Sequence, residues 1–134
     1  LTASDAGADD YFGVSVAIDG ETIVVGAYGK NLVTGAAYVY RTSDGGTTHD
    51  QVAKLICAGA MGDAFGVSVA VDGAAVVVGA GQWINDGPGS AYVYEEIPQK
   101  TASSSQSAYN LTSDAARSLP AAATLLAAGA ALAF

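Results

Sequence analysis

Residues 12–27 (FGVSVAIDGETIVVGA) recur as residues 65–80 (FGVSVAVDGAAVVVGA), identical at twelve of sixteen positions with an offset of 53. A second block, GAAYVY at 35–40, returns as GSAYVY at 89–94, offset by 54. Two matched blocks in one order define a duplicated unit. A unit this short is stabilised by stacking on its neighbours, so the fold must set two near-identical modules side by side.

Each unit reads as strands. Phe12, Val14, Val16 and Ile18 alternate with Gly13, Ser15 and Ala17, the period-two pattern of a pleated strand, and Phe65, Val67, Val69 and Val71 repeat it. Asp19-Gly20 and Asp72-Gly73 then supply two-residue hairpin turns, because Asp-Gly tolerates positive φ angles. The return strands at 23–27 and 76–80 are apolar without alternation, as a strand buried on both faces is. A third strand is expected at 36–41 and again at 91–95. A fourth is expected at 51–57, after a turn-rich loop at 43–49. The apolar content of 51% and the 17 glycines suit such a turn-rich β chain. Four short antiparallel strands per unit, covered on both faces, predict an all-β fold of β-propeller blades.

These blocks resemble the FG-GAP repeat family, the blades of integrin-α-type β-propellers. The name-giving elements stand as Phe12-Gly13 with Gly26-Ala27, and as Phe65-Gly66 with Gly79-Ala80. The proline expected after Gly-Ala is Tyr28 in one copy and Gly81 in the other. The resemblance covers residues 1 to about 95 and divides the chain into repeats at about 1–50 and 51–97. Closing a propeller takes about four to eight blades, so this is about two blades of a larger propeller. Leu1-Thr2-Ala3 aligns with Leu55-Ile56-Cys57, so the chain opens at the end of an earlier repeat and reads as a fragment. Further blades are expected from the missing part of the chain or from another subunit. Calcium-binding members of the family carry an Asp-rich loop between the Phe-Gly and Gly-Ala strands. Here Asp19 and Asp72 are all that remains of it, and calcium needs about six to eight oxygen ligands. Neither repeat is expected to hold calcium.

The remaining chemistry points away from an enzyme. A net charge of −8 with five Lys and Arg leaves no basic cluster to neutralise phosphates, which excludes nucleic acid as a partner. Ser15 and Ser68 sit between small residues as in a nucleophile elbow, but they lie inside alternating strands with no helix behind them. His49 is the single histidine and Cys57 the single cysteine, too few for a zinc site. Gly79-Ala80-Gly81 lacks the third glycine and the helix of a dinucleotide site. No catalytic residue, cofactor or metal is expected.

In an up-and-down blade, the loop after the second strand and the link between blades share one face. That face gathers 3–10, 28–34, 58–63 and 81–88, and with them Asp5, Asp9, Asp10, Tyr28, Lys30, Trp83 and Asp86 as candidate ligand contacts. Integrin-like relatives bind partners on the corresponding face. A non-catalytic extracellular or cell-surface module for protein or carbohydrate recognition is therefore expected. The alternatives are an accessory propeller of a larger secreted enzyme and a purely structural surface repeat.

Beyond residue 97 the composition changes. Residues 98–118 are rich in Ser, Thr, Gln and Ala and read as a flexible linker, with a glycosylation sequon at Asn110. Residues 119–134 are uncharged and apolar to the end, a helix-forming tail. Sixteen helical residues span about 24 Å, short of the roughly 30 Å hydrocarbon core. A processed glycolipid-anchor signal, cleaved near Ser103 or Ser113, fits this pattern best; a short membrane helix and an unprocessed tail are the alternatives. Each of the first two places the protein at the outer face of the cell membrane.

Overall fold

The β-branched and aromatic runs become strands in the order the repeat predicts. The computed structural model describes residues 1–58, 61–82, 84, 86–95, 97 and 109–112, the last four by backbone alone. In the first repeat β1 (Ser15–Asp19), β2 (Thr22–Ala27), β3 (Ala36–Arg41) and β4 (Asp50–Ile56) form an antiparallel meander. Between β2 and β3 lies one helical turn, α1 (Lys30–Val33). In the second repeat β5 (Phe65–Asp72), β6 (Ala75–Ala80) and β7 (Ser90–Tyr94) do the same. A short strand, β8 (Tyr109–Thr112), lies within the stretch expected as linker and pairs in parallel with β4.

Register fixes which residues share a face, because cross-strand partners point the same way. One face of the first sheet carries Ser15, Ala17, Val24, Gly26, Ala37, Val39, Ala53 and Leu55. The opposite face carries Val16, Ile18, Ile23, Val25, Tyr38, Tyr40 and Lys54. The second sheet lays the equivalent of that opposite face, with Val69, Val71, Val76, Val78, Tyr92 and Tyr94, onto the Ser15 face of the first. The buried layer between them joins Val24, Val39, Ala53 and Leu55 to Phe65, Val76, Val78 and Tyr94. It is the stacking of two blades.

That stacking is close enough to require glycine. A Cβ on Gly26 would collide with the carbonyl oxygen of Gly66, and one on Gly66 would collide with that of Ala36. Ser15 Oγ donates to the Gly66 carbonyl at 2.8 Å. The amides of Ala64 and Phe65 donate to Val33 and Thr34 carbonyls at 2.7 and 3.0 Å. The Phe-Gly dipeptide of one repeat thus seats on the Gly-Ala dipeptide of the other.

Three local expectations shift. The hairpin turns are Gly20-Glu21 and Gly73-Ala74, with Asp19 and Asp72 closing the strands; the glycines take φ of 55° and 57°. β1 starts at Ser15 and not at Phe12, whereas β5 starts at Phe65. The difference has a local cause: Phe65 meets the α1–β3 corner, where its amide bonds to Thr34, and Phe12 has no such neighbour among the described residues. The return strand β2 is covered on both faces, but β6 is not, since Val77 faces solvent on the side away from the first blade.

Candidate functional site

Four loops meet at one end of the blades and are laced together by backbone hydrogen bonds. The Gly29 amide donates to the Asp10 carbonyl at 3.1 Å, joining the N-terminal segment to the β2–β3 loop. The Ala64 amide joins the β2–β3 loop to the link between repeats through Val33. The Gln82 amide donates to the Asp63 carbonyl at 3.1 Å, joining that link to the β6–β7 loop. The first and third contacts are the same contact in successive repeats. Loops tied in this way present side chains from a rigid base, at low entropic cost to a ligand.

Of the predicted contacts, the structure brings Asp5, Asp10 and Lys30 together. Lys30 is buried and donates from Nζ to Asp10 Oδ2 at 2.7 Å and to the Asp5 carbonyl oxygen. Asp5 is also held from the sheet, by Lys54 Nζ at 2.5 Å and the Tyr38 hydroxyl at 2.8 Å. Burial opposes ionisation of Asp5, but hydrogen bonds from Lys54 and Tyr38, with the charges of Lys54 and Lys30, outweigh it and hold its carboxyl below the usual range. Burial, and then the Asp5 hydrogen bond, push the Tyr38 hydroxyl far above its ordinary value. Tyr40 is pushed up to about 12, by burial first and the Asp5 charge second. These groups form a clasp that fixes residues 1–10 on the outer face of the first sheet. Its charges satisfy one another.

The remaining candidates lie at the loop surface. Tyr28 stacks on Tyr11, with ring centroids 4.9 Å apart and planes 11° apart. Asp9 and Asp86 are exposed, each with positive φ. Trp83 lies outside the described residues, as do Ser103, Ser113 and the tail at 119–134. Asn110 falls in β8, where its backbone pairs with Lys54. Sequence reasoning missed Tyr11, Leu32 and Ile84, which are large, apolar and exposed at this end. Tyr11 was masked by its place beside Phe12, at the start of what reads as a strand. Leu32 is turned outward by α1, where Asn31, Leu32 and Val33 all carry positive φ. It also missed Lys54, although a lone lysine in the apolar run 51–57 was a usable signal.

At the opposite end the turns are tight. Asp19 Oδ2 accepts from the Gly73 amide at 2.6 Å, so this carboxylate ties the two blades together. The loop after β3 closes around Asp44, which accepts from the amides of Thr47 and Thr48 at 3.0 Å. The Thr48 amide first, then the hydroxyls of Thr42 and Thr48, hold the Asp44 carboxyl well below the usual range. Among the described residues no three His, Cys, Asp or Glu side chains are placed to hold a metal ion.

A family model for the FG-GAP repeat matches residues 1–40 and again 49–94. The chain belongs to the FG-GAP repeat family. No curated protein matches it. The two matches leave out residues 41–48 and take in the antiparallel meanders of both stacked sheets, so the FG-GAP repeat here is the blade. Its name-giving dipeptides meet here, Phe65-Gly66 against Gly26-Ala27, so closely that neither Gly26 nor Gly66 has room for a Cβ. The Tyr40 hydroxyl donates to the Thr2 carbonyl at 2.7 Å, and the Tyr94 hydroxyl to the Ile56 carbonyl at 3.1 Å. Thr2 thus occupies, against the first FG-GAP repeat, the place that the end of β4 occupies against the second. FG-GAP repeats are found in extracellular adhesion and propeller domains and are typical of extracellular or cell-surface proteins.

Proposed function

We propose that this chain is a non-catalytic recognition module of the cell surface, whose laced loop end takes a protein or glycan ligand. The observation that carries the reading is the composition of that end. The stacked pair Tyr11–Tyr28 and the exposed Leu32 and Ile84 stand among Asp9 and Asp86 on loops fixed to one another by backbone hydrogen bonds. Aromatic and apolar anchors inside a polar rim are what specific interfaces use. The clasp of Asp5, Asp10, Lys30 and Lys54 supports this surface from beneath by holding the first loop down. Membrane attachment through residues 119–134, by a glycolipid anchor or a short helix, completes the proposal; release by a phosphatidylinositol-specific phospholipase would separate the two.

The test is binding of the purified chain to a glycan array and to a panel of immobilised extracellular proteins. Tyr28→Ala, Trp83→Ala and Asp86→Ala are each expected to weaken a detected interaction by more than about 1 kcal/mol with the thermal midpoint held. Binding unchanged in all three variants would move the ligand surface elsewhere. Calorimetric titration with calcium is expected to give no stoichiometric micromolar site.

A further inference from the structure

Strand β8 sets the direction in which the chain leaves the blades. β4 runs from the turn end, at Asp50, to the loop end, at Ile56. β8 pairs with it in parallel, Tyr109 opposite Ala53 and Thr112 opposite Ile56, so the chain emerges from the sheet edge at the loop end. A glycolipid anchor at Ser113 starts from that point, and of the two cleavage positions Ser103 and Ser113 only the second keeps β8 in the mature chain. For a membrane helix, residues 113–118 intervene before the apolar run opens at Leu119. That linker reaches about 25 Å at full extension, while β4 alone is about 20 Å long. A membrane at the turn end would need the whole linker drawn out along the sheet edge and past the 42–49 loop. Both routes of attachment therefore bring the loop end to the membrane.

The loop end carries the side chains that such a surface takes. Each of its four loops presents one large apolar or aromatic residue: Tyr11 from the N-terminal segment, Leu32 from the β2–β3 loop, Met61 from the link between repeats and Ile84 from the β6–β7 loop. They are 56%, 74%, 58% and 59% exposed. The turns and the 42–49 loop at the other end present none of this kind among the described residues. Charge then selects the kind of membrane. Among the described residues Lys54 and Lys30 are committed to Asp5 and Asp10, and Arg41 closes β3 at the turn end. Asp9 and Asp86 are exposed on the same loops as the apolar set. Carboxylates without a spare cation are repelled by the anionic lipid of a cytoplasmic leaflet and are compatible with a neutral outer one.

We propose that the loop end seats on the membrane that carries the chain, with Tyr11, Leu32, Met61 and Ile84 in its neutral headgroup layer. The inference rests on the membrane attachment proposed above, and it confines the ligand of this end to the surface of the same membrane.

The chain's single tryptophan, Trp83, stands between Gln82 and Ile84 in sequence and reports on this end. The full chain is floated with phosphatidylcholine vesicles in which part of the lipid carries bromine on the upper acyl chain, and its emission is compared with that in unbrominated vesicles. Interfacial side chains sit about 5–10 Å into the headgroup and acyl boundary, so at least about twofold quenching is expected. The double variant Leu32→Asp with Ile84→Asp changes two solvent-facing positions. It is expected to keep the circular dichroism of the parent and to float through its tail, but to lose the quenching. Exchanging the unbrominated lipid for phosphatidylserine is expected to reduce the quenching of the parent. A parent that fails to float overturns the attachment and the inference together. Flotation with Trp83 unquenched overturns the inference alone and leaves the attachment standing. Quenching that survives the double substitution, or that rises with phosphatidylserine, overturns it as well.

Discussion

The outer face of the first blade and the shared face between the blades are built from the same sequence, yet they are closed in different ways. Between the blades a whole sheet covers the apolar row, with Phe65 packed against Tyr92 and Tyr94 at centroid distances of 5.5 and 6.2 Å. On the outer face a ten-residue segment covers only Tyr38, Tyr40 and their neighbours, with Phe12 half-buried against them. It is held by the Asp5–Lys54 and Asp10–Lys30 ion pairs, where the second repeat has Asp63 with Gln82 at 3.4 Å. The comparison teaches that the repeat specifies a sheet with two adhesive faces, and that the neighbour decides which residues become core. Apolar burial dominates the shared face, and ion pairing supplements a smaller apolar contact on the outer one.

Replacing the paired phenylalanines should break the equivalence most sharply. Phe65→Ala is expected to cost about 3–5 kcal/mol, as deletion of a fully buried aromatic does. Phe12→Ala, half-buried, is expected to cost about 1–2 kcal/mol from the apolar area it covers. Urea unfolding of the two variants checks this; equal losses would mean that the outer face is as well packed as the inner one.

Next in size is the pair of motif glycines. Gly13 and Gly66 share a φ of 93°, so an alanine at either is strained, by about 1–2 kcal/mol. Only Gly66 also meets a backbone carbonyl, that of Ala36, so Gly66→Ala should cost about 1–3 kcal/mol more than Gly13→Ala through overpacking. The difference in chemical-denaturation midpoints isolates the contact from the strain.

The smallest effect belongs to the clasp. Asp5 is held below its ordinary value of 3.8, so its contribution is fully present above that pH and is lost as the pH falls through the lowered value. Asp5→Asn is expected to cost at most about 1 kcal/mol at neutral pH, because the carboxylate is partly solvated. The gap between parent and variant should close below pH 3.8. A gap that stays constant into acid would assign the effect to packing and not to charge.

How much of this was legible depended on whether a residue's role is local. The strands follow from alternation at Val14, Val16 and Ile18 and from the return run at 23–27, both properties of the repeat itself. The loop end followed from strand order, since up-and-down connections must place 28–34 beside 58–63. The close glycine contacts were not legible, because Gly26 and Gly66 read as ordinary strand glycines until a neighbouring backbone is set against them. The shortened β1 and the uncovered β6 have the same origin: pattern gives a strand's two faces but not which of them finds a partner. At the site, Asp5, Asp10 and Lys30 were read as reaching outward for a ligand, and the structure turns them on one another. Charge and loop position are visible in a sequence, whereas the partner that neutralises a charge, here Lys54 from β4, is a tertiary fact.

The central claim is that the Phe-Gly corner of the second repeat is locked into the first blade. Residue-resolved amide hydrogen exchange tests it most directly, because protection reports whether a bond opens locally or only with the whole fold. The amides of Ala64 and Phe65, bonded across repeats to Val33 and Thr34, should be protected to the same degree as those of Val24 and Val39 within the first sheet. Exchange of Ala64 and Phe65 at the rate of an exposed loop, with Val24 and Val39 still protected, would show two blades joined by a hinge and contradict the account.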